Sequence, residues 1–179
     1  MDTDHKNIDE EIIIVKYISN WPELFNSEKK VLLKTLGDTV TSIEHFGSTA
    51  VEGMDGKPIV DLLVGVKSLK LATTKIPLLE SHGYENFGEV FFKGRIYLRK
   101  RNKKNFNLAI TVEGSSFWTD QIILRDYLRT HPEEVKKYSA FKHMLYNSGN
   151  RLFSTYSQAK NAFLDGVKNR AQKWYGSTR

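Results

Sequence analysis

The chain of 179 residues contains no cysteine, only four prolines and no long apolar run. Without cysteine it can form no disulfide framework, no thiolate zinc site and no cysteine nucleophile. Its longest apolar stretches, such as 58–66, have the length of a strand and fall well short of the ~18 residues of a membrane helix. The first residues are polar and partly acidic, which is not typical of a secretory signal. We therefore expect a soluble cytoplasmic protein without a membrane partner.

Charge is unevenly distributed along the chain. Residues 1–92 contain nine Lys/Arg and fifteen Asp/Glu, whereas residues 93–179 contain eighteen and six. The basic residues are densest over 93–104, where seven of the twelve positions are Lys or Arg and none is acidic. A basic half favours an anionic partner, such as a nucleotide or a nucleic acid. A solvated basic hairpin tip explains the same pattern equally well.

Hydrophobic periodicity predicts an α+β protein. Apolar or β-branched runs predict strands at 12–18, 40–46, 58–66, 84–87, 90–92, 95–99 and 106–112. Helical spacing predicts helices at 21–36, 68–82 (interrupted by Pro77), 117–129, 132–149 and 154–175. We expect a flexible segment at 1–11, a mixed β-sheet core with flanking helices at 12–114, and a C-terminal helical subdomain at 115–179 packed on that core.

The stretch 43–64 carries the most informative polar residues. Gly47 lets the backbone approach an anion, and Ser48 offers a hydroxyl and an amide at a helix start, a combination that favours phosphate. A capped turn with no ligand is the alternative for this pair. Asp61 lies thirteen positions after Ser48 inside an apolar strand, where a carboxylate is costly to bury without a partner or a cation. Asp61 is thus a candidate ligand of a divalent metal.

Residues close to this stretch supply further candidates. Glu44 and His45 lie on opposite faces of their strand, so only one of them can point towards Asp61. Lys57 is suited to binding phosphate, and a solvated loop lysine is the alternative.

The predicted C-terminal helices carry paired polar residues. Arg125 and Arg129 share one helix face, where two guanidinium groups suit a polyphosphate or form an ion-pair cluster. Two Tyr/Lys pairs recur at a spacing of four residues, which favours either a lined groove or contacts between two helices. These pairs are Tyr138/Lys142 and Tyr156/Lys160.

Three long motifs are similar to a known family. They are IEHFGSTAV…KPIVDLLVGV (43–51 and 57–66), LRDYLRTHPEEVKKYSAFK (124–142) and YSQAKNAFLDGVKNRAQKWY (156–175). Together they strongly resemble the GrpB family, an uncharacterised bacterial group assigned to the nucleotidyltransferase superfamily. The resemblance extends over about 15–175 and implies a nucleotidyltransferase-like fold.

The resemblance also implies a site with a depleted metal centre. The superfamily pattern has Gly-Ser after one strand, two carboxylates on the next and a third on a later strand, and these carboxylates hold Mg²⁺. This chain has Gly47-Ser48 and Asp61, but the second carboxylate position is Leu63, and the later strand reads Asn105-Phe106-Asn107. We therefore expect at most weak Mg²⁺ binding at Asp61, and whether the protein is an enzyme stays open.

Two functions follow as hypotheses. In the first, a cleft between the sheet and the C-terminal helices binds a nucleotide or phosphometabolite, with residual nucleotidyl transfer. Asp61 and Ser48 would be its catalytic residues, and Glu44 and His45 would support them. The phosphate-binding residues would be Gly47, Ser48, Lys57, Arg125, Arg129 and Lys142. In the second, a non-catalytic module binds nucleic acid or a regulatory partner through the basic C-terminal half.

Overall fold

The computed structural model describes residues 8–178. The six helices are α1 (Trp21–Leu36), α2 (Leu69–Thr73), α3 (Ile76–Ser81), α4 (Ser116–Thr130), α5 (Pro132–Asn147) and α6 (Phe153–Ser177). The five strands are β1 (Val40–Phe46), β2 (Val60–Val66), β3 (Glu85–Gly88), β4 (Arg95–Arg101) and β5 (Asn105–Val112). Single turns of 3₁₀-helix lie at Gly37–Thr39 and Ser48–Ala50.

The strands form one mixed sheet in the order β1-β2-β5-β4-β3. Strands β2 and β5 are parallel, and all other neighbours are antiparallel. In this register Asp61 on β2 lies opposite Phe46 on β1 and opposite Asn107 on β5. The turn that follows β1 is therefore brought beside Asp61.

Alternation of side chains gives the sheet two faces with different partners. Leu62 belongs to the face that packs against α1, α2 and α3 in the main hydrophobic core. Leu63 points the other way and packs against Trp118 of α4. Asp61 shares the face of Leu63, which we call the cleft face. A separate apolar cluster joins α4, α5 and α6, so these helices form a layer on the cleft side.

Local signals explain several helix boundaries. Pro22 and Pro132 lie in the first turns of α1 and α5, where a missing N–H removes no helical hydrogen bond. Pro77 occupies the same position in α3 and separates it from α2, as the sequence predicted. Ser115 caps α4, because its hydroxyl accepts a hydrogen bond from the Trp118 backbone N–H.

The predicted α+β architecture with a mixed sheet and flanking helices is confirmed. Two of the predicted strands are wrong. Residues 12–18 are extended but belong to no strand of the sheet, because Val15 pairs only through an isolated bridge with Gly56, which lies in a loop. Ile12 N–H donates instead to the Arg151 carbonyl, and Tyr17 N–H donates to the Asp55 carboxylate. Residues 90–92 form a loop, because the backbone of Phe91 adopts a φ of 64°, which a strand does not accommodate.

The extended segment that precedes α1 connects distant parts of the fold. The carboxylate of Asp9 accepts hydrogen bonds from Ser154 at the start of α6, and Glu10 binds Arg101 of β4. The flexible segment expected at 1–11 lies for the most part outside the described residues, which begin at 8. The division into a core at 12–114 and a subdomain at 115–179 stays a prediction.

Within residues 8–178, no helix combines the length and the apolar character needed to cross a membrane.

Candidate functional site

A cavity of about 620 Å³ lies between the cleft face and the C-terminal helices. Polar residues from four parts of the chain line it, namely the turn after β1, the loop before β2, strand β2 and helix α6. They include Ser48, Lys57, Asp61 and Lys160. Aromatic rings line much of the remainder, among them Phe46, Phe92, Tyr97, Phe117 and Phe153. The cavity thus combines a charged end with an apolar wall.

The turn after β1 rests directly against Asp61. Gly47 has a φ of +70°, and a β-carbon at this position would lie 2.5 Å from Asp61 Oδ2. Glycine is therefore required for both the backbone conformation and the close approach. The following turn, Ser48–Ala50, is a single 3₁₀ turn and not the start of an α-helix. The helix start expected at Ser48 is absent, so no helix dipole contributes there.

A hydrogen-bond network fixes the carboxylate of Asp61. Asn107 Nδ2 donates to Asp61 Oδ1 at 2.7 Å. Asn107 Oδ1 accepts from Tyr97 Oη at 3.0 Å and from Arg101 Nη2 at 2.8 Å. Arg101 in turn makes two bonds of 2.9 Å to Glu10. Because a guanidinium can only donate, the amide of Asn107 must turn its oxygen to Arg101 and its NH₂ group to Asp61.

The donor set around Asp61 does not fit a divalent metal held by the protein alone. Leu63, at the second carboxylate position, is fully buried in an apolar cluster. Asn107 presents a hydrogen-bond donor to Asp61 where the superfamily has a third carboxylate. Across residues 8–178 no group of three or more His, Asp or Glu side chains is placed to hold a metal ion. The expected weak binding of Mg²⁺ at Asp61 stays a prediction.

Lys142 from α5 reaches the Ser48 turn. Its buried ammonium group donates to Ser48 Oγ at 2.9 Å and also to the Asp55 carbonyl oxygen. Burial lowers the pKa of Lys142 well below its usual range. Since Ser48 Oγ accepts a bond from Lys142, its own hydroxyl hydrogen can be donated to a ligand. Lys142 thus supports the turn at the charged end of the cavity.

Two more ammonium groups occupy this end without an ion pair. Within residues 8–178, the side chains of Lys57 and Lys160 form no hydrogen bond and no ion pair. Lys57 Nζ lies 4.5 Å from the centre of the Phe153 ring. Burial and the charge of Lys160 lower the pKa of Lys57 to about 7, although Asp61 and Glu10 act in the opposite direction. Burial also lowers the pKa of Lys160. These two groups have lost hydration without gaining a hydrogen bond or an ion pair.

The two arginines of α4 make ion pairs or backbone contacts. Arg125 lines the cavity, but its guanidinium binds Glu44 at 2.6 Å and Asp126 at 2.8 Å. Arg129 is not part of the cavity wall, and its Nε donates to the Ala50 carbonyl at 2.9 Å. Of the two alternatives for this pair, the contacts are those of an ion-pair cluster, which anchors α4 to β1 and to the turn after it.

His45 lies on the opposite face of the sheet from Asp61. Its ring stacks on Phe25 of α1 with centroids 4.8 Å apart, and its Nε2 is 2.9 Å from Thr49 Oγ1. Burial lowers the pKa of His45 to about 4, so the ring is neutral. His45 therefore supports the turn after β1 from behind, and Glu44 is the neighbour that shares the cleft face.

The basic cluster at 93–104 does not form a solvated tip. Arg99 and Arg101 lie on the cleft face, within 3.8 Å and 2.9 Å of Glu10. Lys100 lies on the other face and binds Glu28 at 2.8 Å. The exposed members are the lysines in the turns at both ends of β4. Strand alternation explains this arrangement, because it turns successive cations in opposite directions.

Lys160, Tyr97 and Asn107 also line the cavity, although the sequence pattern assigned none of them a role as a ligand or positioning group. The spacing of Tyr156 and Lys160 left groove lining and helix contacts both open, and Lys160 in fact lines the cavity. No local signal marks Tyr97, because its role depends on the pairing of β4 with β5.

Comparison with solved structures identifies the class of fold. The structure of Cid1 in complex with its short product ApU matches with a TM-score of 0.53 and 15% identity, covering 73% of this chain and 42% of that one. A structure of a cytoplasmic RNA terminal U-transferase matches with a TM-score of 0.52. The fold is that of the nucleotidyltransferases, and at this level of identity the likeness concerns the fold alone.

The family is defined by closer relatives. The model of the family described as GrpB protein matches residues 11–170. The crystal structure of the conserved protein GrpB from Enterococcus faecalis has a TM-score of 0.85 and 30% identity, covering 91% of this chain and 99% of that one. The glutamate-rich protein GrpB of Alkalihalophilus pseudofirmus is 32% identical over 165 residues, which cover 89% of this chain and 95% of the relative. The chain belongs to the GrpB family.

Another relative is considerably longer. The UPF0157 protein YqkA of Bacillus subtilis is 30% identical over 162 residues, which cover 90% of this chain but 47% of YqkA. The chain thus spans about half the length of YqkA.

Proposed function

We propose that the cavity binds a nucleotide or another phosphorylated small molecule, with its phosphate between the Ser48 turn and the ammonium groups of Lys57 and Lys160. The observation that carries this proposal is the pair of ammonium groups, Lys57 and Lys160, that line the cavity without forming an ion pair. The fold supports a nucleotide in particular, since structures of Cid1 include one with MgGTP bound.

The charged end of the cavity has an excess of positive charge. Asp61 acts electrostatically on Lys57, Lys142 and Lys160 alike. Glu10 adds to its effect on Lys57, and Asp55 adds to its effect on Lys142. Burial raises the pKa of Asp61, while Lys57 and the hydrogen bond from Asn107 oppose this rise. A phosphate would supply the missing negative charge in a partly dry site, where charge-assisted hydrogen bonds are strong.

The rest of the cavity suits an apolar or planar group. Its volume of about 620 Å³ lies within the roughly 300–1,000 Å³ typical of small-molecule sites. Aromatic rings such as Phe46, Phe92 and Phe117 provide surfaces for a base or another flat group. The cavity therefore matches a ligand with an anionic end and an apolar body.

Residual nucleotidyl transfer, with Ser48 and Asp61 as catalytic residues, is the reaction that the fold suggests. Such transfer depends on metal ions that carboxylates hold against the departing pyrophosphate. Because the donor set at Asp61 does not fit such a metal centre, we propose ligand binding as the function of the cavity.

A ligand screen by thermal denaturation tests the proposal. Nucleotides, coenzyme A precursors, inorganic phosphate and sulfate are added with Mg²⁺ or with EDTA. At one hundred times its dissociation constant, a ligand stabilises by about 2.7 kcal/mol, which raises Tm by roughly 5–10 °C for a domain of this size. We expect a phosphorylated compound to do this in EDTA, and Lys57→Met and Lys160→Met to abolish the effect. The exposed Lys104→Met is the matched control, and no stabilisation by any compound would overturn the proposal.

Substitution of Asp61 separates anion binding from metal binding. If lysines alone hold the phosphate, binding in EDTA persists in Asp61→Asn. If a metal on Asp61 is needed, the same substitution abolishes any stabilisation that requires Mg²⁺.

Nucleic-acid binding through the basic half is the alternative function. The ion pairs of Lys100 and Arg101 with acidic residues leave fewer free cations on β4 for such a partner. Single-strand binding would weaken with salt at a slope of about −0.7 per phosphate contacted. Binding of this kind that persists in Lys57→Met, together with no response to nucleotides, would favour the alternative.

A further inference from the structure

Arg95 is a buried arginine without an acidic partner. Its side chain lines the cavity, and the residue is only 8% exposed. One of its terminal nitrogens donates to the Val90 carbonyl, but its Nε is buried and makes no hydrogen bond. Within residues 8–178, no carboxylate lies within ion-pair distance of it. By contrast Arg99, the other buried arginine, lies 3.8 Å from Glu10.

Aromatic rings hold the guanidinium of Arg95 in place. Its central carbon lies 5.2 Å from the ring centre of Phe92, 5.0 Å from that of Tyr97 and 5.5 Å from that of Phe117. Such contacts orient a guanidinium and offset part of its lost hydration. They do not replace a counter-ion, because a buried charge is costly unless it is paired. The guanidinium therefore has no carboxylate partner, and its buried Nε–H has no hydrogen-bond partner.

Arg95 and the lysines lie at different ends of the same cavity. Arg95 is opposite Thr111 on β5, whereas Asp61 is opposite Asn107, and both pairs belong to the cleft face. Four residues correspond to about 13 Å along the strand direction, and β2 and β4 are in addition two strand spacings of about 4.8 Å apart. The cavity thus has a cationic group at each end and aromatic side chains between them.

We propose that Arg95 binds a second anionic group of the ligand, so that the cavity selects compounds with a phosphate at one end and a phosphate or carboxylate at the other. This inference rests on the proposed function, since it requires that the lysine end bind the first anion. The planar fork of Arg95 suits either group, because both accept paired N–H···O bonds. Phosphate esters with a single anionic end would bind more weakly.

Straight-chain phosphonates test this proposal without knowledge of the natural ligand. Calorimetry compares each α,ω-bisphosphonate with the monophosphonate of equal chain length, in EDTA. We expect the second anion to strengthen binding by about ten- to a hundredfold, with an optimum at one chain length. If the two series bind equally at every length, the proposal is overturned. If neither series binds, the proposed function fails with it.

Variants of Arg95 identify the residue responsible. Arg95→Met should reduce the bisphosphonate affinity to that of the monophosphonate and leave the monophosphonate unchanged. Arg95→Lys, which keeps the charge but not the fork, should retain part of the gain. The Tm of ligand-free Arg95→Met should equal or exceed that of the wild type, because an uncompensated buried charge has been removed. A large fall in Tm with the bisphosphonate gain intact would show a purely structural role and refute the proposal.

Discussion

Anion binding in the cavity should weaken as the pH rises through neutrality, because Lys57 has a pKa of about 7. Four groups set this value beside burial itself: Lys160 from α6 and Arg101 from β4 lower it, whereas Asp61 from β2 and Glu10 from the N-terminal segment raise it. A phosphate or sulfate binds the protonated amine and raises its pKa. Binding must therefore take up protons at a pH above 7.

The magnitude follows from the protonated fraction of Lys57. With a pKa of about 7, roughly nine-tenths of the amines carry a proton at pH 6 and one-tenth at pH 8. If binding requires the charged form, the dissociation constant rises about tenfold between these pH values. An ordinary lysine, with a pKa of about 10.4, would show no change over this range.

Calorimetry with sulfate gives the cleanest measurement, since sulfate keeps the same charge between pH 6 and pH 8. Titrations in two buffers with different ionisation enthalpies would report nearly one proton taken up per sulfate at pH 8. Lys57→Arg is the matched control, because a guanidinium stays charged and should reduce the pH dependence while binding is retained. Equal affinity of the wild type at pH 6 and pH 8, or an unchanged pH profile in Lys57→Arg, would refute the reasoning.

Two further predictions concern the turn after β1. Gly47→Ala should lower the free energy of unfolding by about 1–3 kcal/mol through backbone strain alone, and the clash with Asp61 should lower it further. Gly53→Ala is the control, because Gly53 also has a positive φ but a β-carbon there would meet no atom within 4 Å. Equal losses of unfolding free energy in the two variants, measured by urea denaturation, would contradict the contact between Gly47 and Asp61. The buried, neutral His45 has a pKa of about 4 in the folded protein and about 6.5 in the unfolded chain. Because the unfolded chain takes up the proton first, the free energy of unfolding should be highest above pH 6.5 and should fall by about 3 kcal/mol as the pH drops to 4. In His45→Gln this loss should shrink, and a wild-type unfolding free energy that stays constant over that range would argue against a buried neutral ring.

The sequence predicted most elements of the fold because their signals are local. Val40–Phe46 has the β-branched composition of a strand, and the helix at Trp21–Leu36 has a proline in its first turn and a glycine after its end. The wrong strand at 90–92 shows the limit of such signals. Its residues have high strand propensity, but Phe92 packs against Phe117 at the cavity wall, so tertiary contacts override propensity.

The sequence predicted only the part of the site that lies on one pair of neighbouring strands and the turn between them. Gly47, Ser48 and Asp61 are separated by one short loop, so their proximity follows from the pairing of β1 with β2. Lys57 and Lys160 are far apart in sequence, and only the packing of α6 on the cleft side brings them to one cavity. The ion pair of Arg101 with Glu10 could not be predicted either, because Glu10 precedes the first helix and no sequence pattern links it to β4.

The long-range contacts of the N-terminal segment affect how the chain folds while the ribosome synthesises it. Hydrogen bonds join Asp9 to Ser154 across 145 positions, and Glu10 to Arg101 across 91. Contacts of such long range form late, because the chain between them must first be ordered. While the ribosome still holds α6, the sheet can form, but the cavity lacks the wall that supplies Lys160. A ligand bound there therefore stabilises only chains whose synthesis has passed α6.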